Sequence, residues 1–382
     1  MVLRSLSLQH FRSHHTFQFD FSESIGLIVG PNGSGKSSIL EAIHLFSIGK
    51  SIRALQTSEM ISLGKELARV KITGEVDEHA AETNSEENDQ IGAEAIELEA
   101  MITRGEVGGR RTSGKLWSVN GVRRAGRSTV GVLKSVLFRP EDMRLIEGSP
   151  ARRRDFLNGP LTQLYREYAS SLDAYDKHLT RRNRLLQAVR EGEQPRTVLT
   201  YWNEGLLKHG QIIQHFRQQF FTSLPLLQVD LPFTAVYLPS VMSAERQQQY
   251  LEKEIAAGHT LIGPHKDDFD VILPLEWLPP AAGQHSTEQS DPPLSVMIYG
   301  SRGQQRLAVL WLKLCEAAYL HSISGDKPLL LLDDILSELD EQSRLRIVQL
   351  AEEYQTILTT IDEVEVHKLF PVSQMIRLSV HR

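Results

Sequence analysis

Over the first twenty residues, apolar and polar positions alternate in two short runs. Leu3, Leu6, Leu8 and Phe11, then Phe17, Phe19 and Phe21, follow a near two-residue rhythm that predicts two strands. Ile25-Gly-Leu-Ile-Val29 follows as a short buried strand ending in glycine. Past Lys36 the rhythm changes: Ile39, Leu40, Ile43, Leu45 and Phe46 recur at three- to four-residue spacing, as on a helix. Further strands are expected over Ala68–Val76, Ala95–Ile102 and Lys115–Val119. From Pro150 to Gln249 the pattern is mostly helical, with amphipathic stretches over Leu161–Val189 and Val198–Phe221 and no sustained heptad. A helix is expected over Gln304–His321, a buried strand over Pro328–Leu332, a helix over Glu341–Tyr354 and a strand over Gln355–Thr360. Two stretches lack apolar periodicity. Glu82–Asp89 reads as a solvated hairpin tip, and Pro279–Pro293 as a loose polar loop. Strands alternating with helices on either side of a helical middle indicate an α/β fold with an inserted lobe.

Composition narrows the class. At 382 residues the chain suffices for two or three packed lobes, and 41% hydrophobic with 24% charged residues is an ordinary globular balance. No apolar run approaches the roughly 20 residues that span a bilayer. The start, Met1-Val-Leu-Arg-Ser-Leu, lacks an export signal, so no membrane role is expected. The single cysteine, Cys315, excludes disulfides and cysteine zinc sites and fits a cytoplasmic protein.

The net charge of −6 hides a polarised chain. Asp77–Glu99 holds nine acidic residues and no Lys or Arg, whereas Ile102–Arg127 holds seven Lys or Arg against one Glu. Lys177–Arg190 is also basic and acid-free. Clustered cations, rather than net charge, bear on nucleic-acid binding.

Three motifs carry candidate chemistry. Gly30-Pro31-Asn32-Gly33-Ser34-Gly35-Lys36-Ser37 matches the phosphate-binding pattern G-x-x-x-x-G-K-[ST] between a strand and a helix. Its glycines turn the backbone so that amides converge on phosphate oxygens. Lys36 reaches the β- and γ-phosphates, Ser37 is the expected Mg²⁺ ligand, and the helix N-terminus favours the anion. Pro328–Leu332 then delivers Asp333, expected in the Mg²⁺ shell, and Asp334, placed to orient or polarise an attacking water. The expected cofactors are therefore ATP and Mg²⁺, with Lys36, Asp333 and Asp334 as catalytic residues. About 300 residues separate Lys36 from Asp333, an insertion typical of ABC-type and chromosome-maintenance-type heads. About 30 residues before Asp333, Ser301-Arg-Gly303-Gln304-Gln305-Arg306 stands where such heads carry a signature motif facing the γ-phosphate held by a second subunit. Ser301-x-x-Gln304 is equally a helix capping box, and a capped helix end is itself an anion site.

These motifs closely resemble the RecF family of bacterial recombination mediators. The likeness also includes Leu8-Gln-His-Phe11-Arg12, Lys50-Ser-Ile-Arg53, Phe138-Arg-Pro-Glu-Asp142, Arg152-Arg-Arg-Asp-Phe-Leu157, Gly263-Pro-His-Lys-Asp-Asp268 and Leu332-Asp-Asp-Ile-Leu-Ser-Glu-Leu-Asp340. Asp77–Glu99 and Pro279–Pro293 depart from the family pattern. So does the end of the Gln355–Thr360 strand, where many ABC-type ATPases have a switch histidine and this chain offers Thr359, Thr360 and Asp362.

The resemblance implies an ABC-type P-loop ATPase head with an inserted, mainly helical second lobe. Residues 1–149 and 256–382 would form the two parts of the head, and 150–255 the lobe. It further implies a weak ATPase that dimerises on ATP and binds duplex and gapped DNA. With RecO and RecR it would load recombinase at gaps, in replication-fork maintenance and the SOS response. Candidate DNA contacts are Arg104, Arg110, Arg111, Lys115, Arg123, Arg124, Arg127, Arg181, Arg182 and Arg184, since neutralised phosphates supply most non-specific affinity. Solvated surface charge is the plainer reading of each, and Arg152–Arg154 reads as an ion-pair cluster beside Asp155. The alternatives are an ABC transporter ATPase subunit, an ATPase-linked nuclease, for which Asp268-x-Asp270 is the hint of metal chemistry, and a non-hydrolysing clamp.

Overall fold

Five parallel strands form the sheet on which the candidate site is built, in the order Ser135–Phe138, Leu329–Asp333, Thr356–Thr360, Ile25–Val29, Gln374–Arg377. The computed structural model describes residues 1–21, 24–76, 94–274, 277 and 294–379. Ile25–Val29 is inserted between Thr356–Thr360 and Gln374–Arg377, so residues from both chain ends meet side by side. The three central strands are mostly Leu, Ile, Val and Thr, as expected where a parallel sheet is covered on both faces, whereas Gln374–Arg377 at the edge is polar at both ends. Ile25–Val29 and Thr356–Thr360 are buried throughout.

A six-stranded antiparallel sheet includes Val2–Phe11, His14–Asp20, Leu67–Val76, Glu94–Thr103, Lys115–Val119 and Val122–Arg124. The helix Lys36–Ile48 runs between glycines, Gly35 and Gly49, both in left-handed geometry. It is buried almost all round, polar residues such as Glu41, His44 and Ser47 included, and Ile39, Leu40, Ile43, Leu45 and Phe46 are at most 1% exposed. They share one core with Leu6 and Leu8 of the antiparallel sheet and Leu329, Leu331 and Ile357 of the parallel one. At roughly 1.5–3 kcal/mol per fully buried large apolar side chain, this packing fixes the start of the helix.

The chain divides into two compact units, Met1–Asp142 with Glu316–Arg382, and Met143–Cys315. The second contains the helices Pro150–Leu164, Arg166–Arg190, Thr200–Ser223 and Ala244–Ala257. Its helical character was expected, but two details differ. The Leu161–Val189 pattern is interrupted at Tyr165, which is extended and whose ring lies 4.4 Å from that of Phe216. Thr234–Leu238, inside the stretch read as mostly helical, is a strand paired antiparallel with Asp268–Ile272. Tertiary pairing overrides local propensity at both points. The segments Glu82–Asp89 and Pro279–Pro293 lie outside the described residues.

Candidate nucleotide site

The loop Gly30–Ser37 leaves the carboxyl end of the Ile25–Val29 strand and enters the Lys36–Ile48 helix. Gly30 N donates to Thr360 O at 3.2 Å, which holds the loop entry against the adjacent strand. Gly33 and Gly35 have φ of 82° and 93°, a region costly for other residues. A side chain at Gly35 would also meet His14 Nε2 at 2.5 Å and Ser13 Oγ at 2.7 Å. The helix has no side-chain cap, so its leading amides face the loop. Ser34 Oγ is buried with no hydrogen-bond partner among the described residues. A phosphate oxygen would satisfy both the amides and this hydroxyl, so the loop fits a polyphosphate. Pro31, Asn32 and Gly33 are exposed along its rim.

Lys36 is buried, and its Nζ donates to Gly30 O at 2.6 Å and Pro31 O at 3.1 Å. Burial lowers its pKa, while the charges of Asp334 and Asp333 oppose that shift. Ser37 Oγ donates to Asp333 Oδ1 at 2.9 Å. Thr359 Oγ1, from the neighbouring strand, donates to the same oxygen at 2.7 Å. Asp334 sits in left-handed geometry at φ 50°, its backbone N–H donating to Thr359 O at 3.0 Å and Thr359 Oγ1 at 3.1 Å. Such a backbone in a non-glycine residue is strained and is held here by the adjacent strand. Burial raises the Asp334 pKa, an effect that Lys36 opposes and Asp333 reinforces. Lys36, Ser37, Asp333 and Asp334 therefore converge at one sheet edge. A hydroxyl and a carboxylate in contact suit the oxygen preference of a divalent ion such as Mg²⁺.

Three arrangements around the loop were not evident from the sequence. His14 Nε2 lies 3.0 Å from Gly35 O. Arg12, itself at φ 53°, forms two hydrogen bonds to the buried Glu41 carboxylate, at 3.0 and 2.7 Å. Thr359 grips both acids. Arg12 and Thr359 stand out in the family resemblance of the motifs, but neither Glu41 nor the contact of Thr359 with Asp333 and Asp334 is evident from it.

Ser301, Gly303 and Gln304 belong to the other compact unit and are placed within it. Gln304 N donates to Ser301 Oγ at 3.3 Å and Ser301 N donates to Gln304 Oε1 at 2.8 Å, a reciprocal capping box opening the Arg302–Ser324 helix. Ser301 and Gly303 are exposed.

Among the basic candidates, Arg182 is a correction. It is 1% exposed, pairs with Glu254 at 2.6 Å and donates to Asn203 and Thr260, so it braces the helices. Lys115 Nζ donates to Gly49 O at 2.7 Å and is half-buried. Arg104, Arg110, Arg111, Arg123, Arg124, Arg181 and Arg184 are exposed, and the Arg127 side chain lies outside the described residues. Within the Arg152–Arg154 run, Arg153 pairs with Asp268 at 2.5 Å and Arg154 donates to Asp267 O, with the charges of Asp268, Asp155 and Asp267 all acting on Arg154. Asp270 accepts from Ser295, so Asp268-x-Asp270 is held by local partners.

The family model for the RecF/RecN/SMC N-terminal domain matches residues 2–381. The chain is 32% identical over 405 aligned residues to the DNA replication and repair protein RecF of Herpetosiphon aurantiacus, covering 100% of this chain and 98% of that one. The chain belongs to the RecF family. RecF of Heliobacterium modesticaldum is also 32% identical, over 100% of this chain and 97% of its own. Among solved structures, the recombination mediator protein RecF-ATPrS in the RecFOR pathway is similar with a TM-score of 0.78 and 26% identity, covering 99% of this chain and 96% of that one. An Smc head bound to the C-winged helix domain of ScpA shares the fold at TM-score 0.50 and 16% identity. The expected ABC-type head, with its helical lobe, is therefore the fold of this RecF-family chain.

The family motif Gly263–Asp268 proves structural in this chain. Asp267, fully buried, pairs with Arg217 at 2.8 Å and accepts from Tyr237, Gln214 and the Ser240 amide. Burial lowers the His265 pKa to about 4, and its Nδ1 lies 2.8 Å from Tyr175 Oη.

Proposed function

We propose that this RecF-family chain is an ATP-dependent DNA-binding protein of recombinational repair, using ATP as a dimerisation switch. The observation that carries the reading is the convergence of Lys36, Ser37, Asp333 and Asp334 beside a glycine loop. Amides from Gly33 to Ser37 and Ser34 Oγ would cradle the phosphates, with Lys36 supplying the cation. Ser37 and Asp333 would hold Mg²⁺, which neutralises charge on the phosphate oxygens. Asp334 would take the proton of the attacking water, and the burial that raises its pKa makes its carboxylate a stronger base.

Ser301, Gly303 and Gln304 of one copy would complete the site of the other, because a capped helix end with an exposed serine suits an incoming γ-phosphate. Residues 1–149 and 256–382 would then act as the head and 150–255 as its lobe. Closure on ATP would align exposed arginines along duplex or gapped DNA, and slow hydrolysis would release it. RecR and RecO are the proposed partners, in the cytoplasm, because the similar solved RecF structure is described within the RecFOR pathway. No helix among the described residues is long and apolar enough to cross a membrane.

The test is binding to duplex, single-stranded and gapped DNA with and without ATP. ATP should strengthen duplex and gapped binding, and Lys36→Met should abolish the effect. Equal binding with and without ATP would overturn the reading.

A further inference from the structure

The strand Thr356–Thr360, paired with that of Asp333, ends in Thr359 and Thr360, followed closely by Asp362, where many ABC-type ATPases have a switch histidine. Their contacts separate them. Asp362 accepts from Glu365 N and caps the Glu363–Leu369 helix. Thr360 uses its carbonyl to hold Gly30 N, and its hydroxyl accepts from Asp362 N at 3.1 Å. Thr359 alone of the three touches the acids. Its side chain is fully buried, donating to Asp333 Oδ1 at 2.7 Å and accepting from Asp334 N at 3.1 Å.

We infer that Thr359 is a positioning residue: its hydroxyl orients the metal carboxylate of Asp333, and the same hydroxyl together with the Thr359 carbonyl holds the strained backbone of Asp334. The inference rests on the nucleotide reading above and specifies how that site is held. A hydroxyl has one proton and two acceptor lone pairs. Here the proton goes to Asp333 Oδ1, which leaves a lone pair for the Asp334 amide, so both bonds form together. Asp333 Oδ1 already receives Ser37 Oγ. The second bond, from a strand whose register with Leu329–Asp333 pairs Thr359 with Asp333, gives the same oxygen a second donor that does not depend on the phosphate loop. Valine keeps the shape and β-branching of threonine and removes only the hydroxyl. Asp333 then loses a charge-assisted donor, and carboxylate orientation is left to Ser37, the very group that the ion needs as a ligand.

The test uses the full-length chain and a non-hydrolysable ATP analogue, with affinity measured across Mg²⁺ concentrations and in EDTA. Thr359→Val should need roughly 10-fold more Mg²⁺ for the same nucleotide affinity, with affinity in EDTA unchanged. Thr359→Ser, which retains the hydroxyl, should restore the wild-type Mg²⁺ dependence. Thr356→Val, which removes a buried hydroxyl bonded to Tyr354 O at the other end of the same strand, should leave it unaltered. Wild-type Mg²⁺ dependence in Thr359→Val would overturn the inference, as would equal defects in Thr359→Ser and Thr359→Val. If the wild-type chain showed no Mg²⁺-dependent nucleotide binding at all, the nucleotide reading itself would fall and take this inference with it.

Discussion

Ser37 Oγ donates to Asp333 Oδ1 at 2.9 Å, although 296 positions separate the two residues along the chain. Parallel pairing across the sheet brings the acid strand to within one strand of the phosphate-loop strand. The bond pre-assembles a hydroxyl and a carboxylate of the kind that one hard cation would share.

Asp333→Asn removes the charge from that pair and keeps its size. Isothermal titration should show nucleotide affinity in Mg²⁺ reduced by about 10- to 100-fold, with little change in EDTA. An unchanged Mg²⁺ effect would remove Asp333 from the metal site.

Gly35→Ala attacks the loop itself. The added methyl would meet His14 and Ser13 in a backbone at φ 93°. A penalty of about 1–3 kcal/mol is expected, as for other residues forced into sparsely populated backbone regions. Thermal melting should drop by a few degrees and nucleotide binding should be lost. Retention of both would mean that the loop is not shaped as described.

Asp334→Asn separates stability from turnover. Burial raises the Asp334 pKa. Between its unfolded and folded values, the folded chain therefore binds more protons than the unfolded one. Its contribution to stability is largest below the unfolded pKa and declines as pH rises through the folded value. Asparagine, which also tolerates left-handed geometry, removes that decline. The variant should melt higher than wild type at neutral pH. The gap should close on acidification below the ordinary carboxyl range near ~4. ATP turnover should be lost. A variant that melts lower at neutral pH would contradict the sign of the shift.

The three central strands of the parallel sheet and the helices beside them were legible because their signals are local, whereas the outer strands Ser135–Phe138 and Gln374–Arg377 were not. Ile25–Val29 and Leu329–Asp333 are continuous apolar runs flanked by loop chemistry, and Lys36–Ile48 carries its own periodicity. Fixed spacing around glycines exposed Lys36 and Ser37 in the same way. What stayed hidden depends on non-local partners. Arg182 belongs to a basic run and reads as a surface cation until Glu254, Asn203 and Thr260 close over it. Thr234–Leu238 becomes a strand only through Asp268–Ile272. Thr359 looks like any β-branched core residue, since nothing in its spacing reveals that its hydroxyl meets two acids.

Arg217→Met tests the buried network beneath the Gly263–Asp268 motif. Arg217 is 2% exposed and Asp267 fully buried, so removing the cation leaves a carboxylate without its charge partner. A loss of roughly 3–5 kcal/mol is expected, read as a lower urea midpoint. A loss below about 1 kcal/mol would show that Tyr237, Gln214 and the Ser240 amide suffice.

The central claim is that two copies of this chain close around nucleotide, each completing the other's site through Ser301. Light scattering of the full chain with Mg²⁺ and a non-hydrolysable ATP analogue tests it most directly. Wild type should pass from monomer to dimer on nucleotide, whereas Ser301→Arg should bind the nucleotide and remain monomeric. Monomers alone at saturating nucleotide, or a Ser301→Arg variant that dimerises like wild type, would contradict the account.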